Sequence, residues 1–389
     1  MNPAFELTQT IKTLAINAGF DRVGIASATW GDSAPGATAP PGAAAAPFAA
    51  CPCGAVLRHW LSLGYHADMA YMAANLDKRL DPTKLVQGAK SVICLAVSYA
   101  SVTDVSPARP GVRTDAGDAS IARFARGPDY HKLLKKRCIH LMDSIRNIAP
   151  NFAGRAFCDS APVMERTLAA IAGVGWIGRN DCLIVPGLGS YVVLAEVISN
   201  LPLVSDQPIP PQCGPCRLCL QACPTGALTE IENVTGALID CRKCISYLTI
   251  EHAGPIPPDL RPAMGQSIFG CDRCQQICPH NRGTGVPPVS FSADHERKQP
   301  EQTHGRDAHA TTARILNWTP HDWDIATRGS TIRRASYHML LRNAIIAAGN
   351  SGDQALIEPL QDLAGREPQL RDLSQWAIKL IAHKTTRGH

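Results

Sequence analysis

The spacing Cys213-x2-Cys216-x2-Cys219-x3-Cys223-Pro224 constrains this chain more than any other feature. Bacterial ferredoxins hold 4Fe–4S clusters with such a run. Three thiolates two residues apart on a tight loop reach three corners of one cube, and the fourth, set off by three residues and a proline, points to a neighbouring cube. A second run, Cys271-x2-Cys274-x3-Cys278-Pro279, has one cysteine fewer. Crossing the last ligands over assigns Cys213, Cys216, Cys219 and Cys278 to one cluster. The other takes Cys271, Cys274, Cys223 and either Cys241 or Cys244, which lie between the runs. Zinc prefers two well-separated Cys-x2-Cys pairs, so the pattern points to two 4Fe–4S clusters and to one-electron traffic. Residues 205–283 are rich in Cys, Pro and short turns, as expected of a segment organised around bound metal.

A chain of 389 residues, 45% apolar and 18% charged, buries a large core without disulfides. Its 15 cysteines therefore read as metal-binding in a cytoplasmic protein. No secretory signal opens the sequence. The only uncharged stretch of membrane-spanning length, 34–57, holds five Pro and three Gly, which rules out a spanning helix. Helical periodicity over 6–18, 129–148 and Pro162–Gly173 interleaves with strand-like runs at Arg22–Ser27, Ser91–Tyr99, Arg155–Cys158 and Ser190–Ser199. These patterns predict an α+β multidomain chain. An α/β domain spans 1–204, with a flexible Pro/Ala/Gly-rich insertion at 31–54. A ferredoxin-like domain spans 205–283, and a disordered polar insertion 284–313. A C-terminal helical module with two helix pairs, similar to HEAT repeats, spans 314–389. Cys51-Pro-Cys53, inside the first insertion, receives no role.

The net charge of +5 is mild but unevenly spread. Residues 328–389 carry nine Lys/Arg against five acids, and 121–140 carry six against Asp129 alone. Such patches suit an anionic partner, nucleic acid included, although a solvated helix face carries the same charges. Gly173-Val-Gly175-Trp-Ile-Gly178 follows a helix instead of opening one, so it reads as a tight turn and not as a dinucleotide site. Asp159, at a strand-to-helix junction, and the Asp129-Tyr130-His131 triplet, at a helix start, are on their own ordinary capping residues.

Taken together, the motifs resemble the epoxyqueuosine reductase family, cobalamin- and iron–sulfur-dependent enzymes that complete queuosine in tRNA anticodons. The stretches that carry the resemblance are Ala122–Leu134, Cys158–Arg166, Ala172–Asn180, both cysteine runs, Cys244-Ile-Ser-Tyr-Leu-Thr-Ile-Glu251 and Gly329–Arg334. They cover most of the chain outside the two insertions. The resemblance implies that Cys244 is the eighth cluster ligand, that Asp159 is the proton donor and that Tyr130 lies near the substrate. It further implies that Arg79, Ala122, Asp159, Asn180, Leu183, Ser246 and Asp272 line the corrin. The substrate would be tRNA of the Asp, Asn, His and Tyr type carrying epoxyqueuosine. Arg333, Arg334 and Arg342 are the candidate phosphate contacts. His280 stands where many members have Trp, and the Cys223–Cys244 spacing is longer than usual.

As an expectation, a small donor such as flavodoxin or ferredoxin feeds the clusters of a monomeric enzyme, low-valent cobalt reduces the epoxide, and Asp159 protonates the departing oxygen. Burial beside the corrin should raise the pKa of Asp159. An Asp-x-His-x-x-Gly motif is absent; Asp307-Ala-His309-Ala-Thr-Thr lacks the glycine, so base-off cobalamin without a histidine on cobalt is expected. The competing readings are a corrinoid reductive dehalogenase, which usually carries an export signal, and a non-catalytic ferredoxin-type carrier or RNA-binding adaptor. Corrin uptake separates a carrier from the other two.

Overall fold

The computed structural model describes residues 2–29, 53–100, 121–230, 237–281 and 305–387. Its centre is a four-stranded sheet built from β1 (Arg22–Ser27), β2 (Ser91–Ser98), β3 (Gly154–Phe157) and β6 (Val192–Ser199). The order is β1-β2-β6-β3, and every pair is antiparallel, with Cys94 opposite both Gly24 and Glu196. The α/β expectation for this domain is thereby corrected to α+β. The reason lies in burial. Helices Pro3–Asn17 and Tyr130–Ile148 cover one face around Ile11, Ile25, Leu134 and Leu141, and helix Glu165–Ile171 covers the other around Val92, Leu168 and Ile198. With both faces buried, an antiparallel strand such as β2 reads as the continuous apolar run usual for parallel strands.

Two short hairpins follow. Strands β4 (Trp176–Ile177) and β5 (Leu183–Ile184) flank the glycine-rich turn, and β7 (Leu228–Glu230) and β8 (Ala237–Ile239) lie inside the cysteine-rich segment. Gly173 has φ +67°, and a Cβ there would meet the Gln207 carbonyl at 2.4 Å, so the turn reading holds. The predicted helix from Pro162 begins three residues later, at Glu165, because 158–164 forms the loop that presents Asp159.

Five helices close the chain: Gly305–Leu316, Pro320–Thr327, Tyr337–Ser351, Ile357–Arg366 and Arg371–Arg387. Their core (Leu316, Leu340, Leu341, Ile345, Leu360, Ile381) is continuous with Ile121, Ala125, Ile268 and Phe269, so the helical layer shares its interior with the segments that build the site. The expected disordered insertion is corrected at its end, since 305–313 is helical. Thr311 and Thr312 are buried there, and hydropathy counts such residues as polar. Residues 282–304, and 31–52 of the first insertion, lie outside the described residues, and the last two residues of that insertion, 53 and 54, are corrected to the start of helix Cys53–Ser62. Among the described residues no helix is long and apolar enough to cross a membrane.

Candidate active site and cluster thiols

The cysteine-rich segment gathers its thiols as the spacing requires. Cys213, Cys216, Cys219 and Cys278 line one cavity of about 110 Å³ with Arg179, Asn180 and Ile184. Gly214, at φ +51°, turns the loop, and Arg179 Nη1 clamps it by donating to the carbonyls of Gly214 (2.6 Å) and Cys216 (3.0 Å). Cys223, Cys244, Cys271 and Cys274 form a second neighbourhood. The charges of Cys223 and Cys271 act on Cys244, and those of Cys244 and Cys271 act on Cys274. Cys241 lies beside this group in an apolar core with Trp60 and Tyr247. Cys182, which spacing alone does not reach, hydrogen-bonds Cys274. Among the described residues no three His, Cys, Asp or Glu side chains converge on a point that would hold a single ion.

A larger cavity, about 660 Å³, opens between the sheet, the loop at 158–165 and the start of the helical layer. Asp159 faces it from a left-handed backbone, φ +51°. Such a conformation costs a non-glycine residue and persists only where neighbours enforce it. The enforcing contact is Glu165, whose Oε1 accepts from the Asp159 N–H at 2.5 Å. Tyr130 Oη donates to Asp159 Oδ2 at 2.6 Å, and His131 Nε2 lies 3.5 Å from the same oxygen. The Tyr130 and His131 rings stack 4.2 Å apart. Asp129 caps the helix through the His131 N–H (3.0 Å) and also meets His131 Nδ1 at 2.7 Å.

Among the protein's own groups, before any corrin covers the site, the electrostatics at Asp159 run against the expected rise. Burial pushes its pKa up, but the hydrogen bonds from His131 and Tyr130 and the charges of His131 and Arg334 outweigh it and hold the carboxyl below its ordinary value. Glu165 goes the other way. Burial first, then the Asp159 charge, holds it well above the usual carboxylate range. The hydrogen bond to Asp159 raises His131 against the opposing effect of burial. A farther carboxyl, Glu196 on β6, is fully buried with neither oxygen partnered among the described residues, and burial drives its pKa up strongly.

The structure separates the three candidate arginines. Arg333 and Arg334 line the cavity. Arg333 Nη2 bonds Asp324 at 2.5 Å with its guanidinium over Trp323, and Arg334 grips Glu251 with two bonds of 2.6 and 2.9 Å. Arg342 is corrected. It is 5% exposed, and it donates to the carbonyls of Leu248 and His252 (each 2.7 Å) and of Gly254, which makes it a brace of the interior. Burial pushes its pKa down to about 10. Sequence reasoning missed His131, Glu165, Tyr71 and Glu251. The signals were the Asp-Tyr-His triplet, the acid near the end of the Cys158–Arg166 stretch and the acid ending the Cys244–Glu251 stretch.

Of the remaining candidates, Arg79, Ala122, Asn180, Leu183 and Asp272 are buried and Ser246 is half-buried. Arg79 Nη2 donates to the Tyr71 carbonyl, while Arg79 Nε and Asn180 Nδ2 find no partner among the described residues. Asp272 Oδ2 accepts from the Arg123 N–H at 2.7 Å.

Two sets of gathered thiols, together with a cavity that displays a hydrogen-bonded carboxylate, are the features of an iron–sulfur oxidoreductase. Residues 212–281 match the family model of a 4Fe-4S double cluster binding domain, and residues 79–160 match that of Epoxyqueuosine reductase QueG, DUF1730. The epoxyqueuosine reductase of Pseudomonas aeruginosa is 36% identical over 96% of this chain and 94% of its own. That of Escherichia coli is 34% identical over 96% and 89%. A crystal structure of an epoxyqueuosine reductase with an epoxyqueuosine-modified tRNA-Tyr stem loop superposes with TM-score 0.76 at 27% identity, covering 97% of this chain and 91% of that one. The Bacillus subtilis enzyme, solved with its catalytic aspartate loop swung out of the active site, gives 0.75 at 26%, with the same coverage. The chain belongs to the epoxyqueuosine reductase family.

Proposed function

We propose that this chain reduces epoxyqueuosine to queuosine in the anticodon loop of tRNA, with Asp159 as proton donor in the 660 Å³ cavity. The observation that carries the reading is the Asp159 carboxylate, turned into that cavity by an enforced left-handed backbone and hydrogen-bonded by Tyr130. In the terms used for the Bacillus subtilis enzyme, the Asp159 loop is swung in, and Glu165 is the contact that keeps it there. Tyr130 orients the carboxylate beside the substrate. An anticodon loop exposes its modified base at little unstacking cost, and Arg333 and Arg334 on the cavity wall would meet phosphates. The HEAT-like helical layer would support that contact.

Cys213, Cys216, Cys219 and Cys278 would hold one cluster, and Cys223, Cys244, Cys271 and Cys274 the other. A small carrier such as flavodoxin or ferredoxin would supply electrons. The domain division follows 1–204, 205–283 and 314–389. The protein would act as a cytoplasmic monomer.

Arg79, Ala122, Asn180, Leu183, Ser246 and Asp272 would hold a base-off cobalamin. Arg79 supports the fit, since its Nε is a buried donor without a partner among the described residues that a polar group of a cofactor would satisfy; Asn180 Nδ2, likewise unpartnered among them, lies at the small thiol cavity. Bound there, cobalamin supplies a low-valent cobalt strong enough to reduce an epoxide. Asp272 contributes through its grip on the Arg123 backbone.

Anaerobic reconstitution tests the reading. The protein should take up iron and corrin and convert epoxyqueuosine in tRNA, as read by nucleoside mass spectrometry. Iron uptake without corrin and without conversion would leave a ferredoxin-type carrier.

A further inference from the structure

We propose that His131 is the proton store of the reaction: clamped between Asp129 and Asp159, it hands its Nε2 proton to the Asp159 carboxylate, which passes it to the oxygen of the opening epoxide. This inference rests on Asp159 being the donor and adds the group that loads it.

The geometry comes first. Each nitrogen of the imidazole faces a carboxylate, Nδ1 with Asp129 Oδ1 at 2.7 Å and Nε2 with Asp159 Oδ2 at 3.5 Å. A ring with an acceptor at both nitrogens is satisfied only when both carry protons, so the site selects the imidazolium. Asp129 is the helix cap, so its carboxylate is fixed by the His131 N–H as well as by the ring. Stacking on Tyr130 at 4.2 Å fixes the ring plane. The two neighbours act on Asp159 together, since Tyr130 and His131 reach the same oxygen.

A donor held in its ionised form has no proton to give at rest, so another group must hold it. His131 is the imidazole beside it, with Nε2 3.5 Å from the carboxylate oxygen to which Tyr130 donates. Its side chain is 38% exposed, so solvent can recharge it. The other charged and titratable groups on the cavity wall are Lys132, Glu165, Glu251, Arg333 and Arg334, with Tyr71 beside them. Arg333 and Arg334 are paired with Asp324 and Glu251, and Glu165 bonds the Asp159 backbone.

The reaction consumes two protons, which the site must deliver. Converting the epoxide to the alkene breaks both C–O bonds, forms the C=C bond, takes up two electrons and two protons and releases one water. The small carrier would supply the two electrons, and the two sets of cysteines would hold the clusters that accept them one at a time. The first proton neutralises the alkoxide as the ring opens, and the second leaves with the oxygen as water. His131 supplies the first through Asp159 and is reprotonated from solvent before the second.

The test has an arm that needs no turnover. In histidine-labelled protein, with His131 assigned from the His131→Asn spectrum, the ring should titrate above the ordinary imidazole range by NMR. It should fall towards that range in Asp159→Asn and in Asp129→Asn. The second arm uses holoenzyme with matched iron and corrin content. His131→Asn should slow single turnover about a hundredfold or more, with KM for tRNA within about twofold and the alkaline limb of the rate profile lost. Imidazole should restore rate to His131→Ala in proportion to its protonated fraction. Asp129→Asn, which keeps the ring, should move the alkaline limb to lower pH. A wild-type rate and pH profile in His131→Asn overturns the proposal. So does a slowed variant with an unshifted profile and no imidazole rescue, which would mark a merely structural role. Full activity in Asp159→Asn would instead overturn the donor reading beneath it.

Discussion

Around Cys213–Cys223 the backbone holds the reactive side chains. Gly214 turns the loop, Arg179 grips two of its carbonyls, and three thiols from a short span of chain line one small cavity, joined by Cys278 of the second run. On the cavity wall side chains hold side chains, across long stretches of sequence. Tyr130 reaches Asp159, His131 reaches two carboxylates, and Arg334 reaches back to Glu251. The first arrangement tolerates little and does one thing: it fixes ligands. The second places groups of opposite charge in contact where a proton can move among them. A site that must bind metal and also move protons uses both.

The contrast can be broken most severely on the thiol side. Cys219→Ser and Cys274→Ser should each abolish turnover and leave roughly half the iron, read by metal analysis and electron paramagnetic resonance. Next, Asp159→Asn should cost about a hundredfold to ten-thousandfold in single-turnover rate with tRNA binding retained.

Arg342→Ala and Arg334→Ala sharpen the comparison between brace and wall. Loss of Arg342 strips buried carbonyls of their donor and should cost about 2–4 kcal/mol in chemical denaturation, with the salt dependence of tRNA binding unchanged. Loss of Arg334 should leave stability nearly intact. It should flatten the slope of log K against log salt by about one.

The smallest effect expected is at Glu196. Its folded pKa lies above the unfolded value, so wild-type stability falls as pH rises from the ordinary carboxylate range towards that raised value. Glu196→Gln removes this titration, and its melting temperature should gain on wild type progressively between acid and alkaline buffer.

Much of this was legible in the sequence, and the rest was not for definite reasons. The cluster thiols could be read because ligand spacing is local geometry written directly in residue number. Strands β1 and β2 could be read because their apolar runs are unbroken. Their antiparallel pairing was hidden because both faces are covered. Arg342 was misread because a charge count does not distinguish a solvated guanidinium from one folded onto carbonyls. Asp159 stood out only through the family resemblance, and the balance of its ionisation could not be read locally. That depends on Tyr130 and His131, placed by a helix beginning 29 residues earlier. The role of Glu165 depends on a backbone torsion that no residue pattern records.

That torsion has a consequence for how the molecule can change over time. A left-handed turn of backbone accepts asparagine about as readily as aspartate. The single-base drift that exchanges the two would be accepted by the fold while removing the carboxylate that can carry a proton. Descendants of such a lineage would persist as well-made, silent binders of the anticodon, and only a look at that one oxygen-for-nitrogen exchange would tell them from working copies.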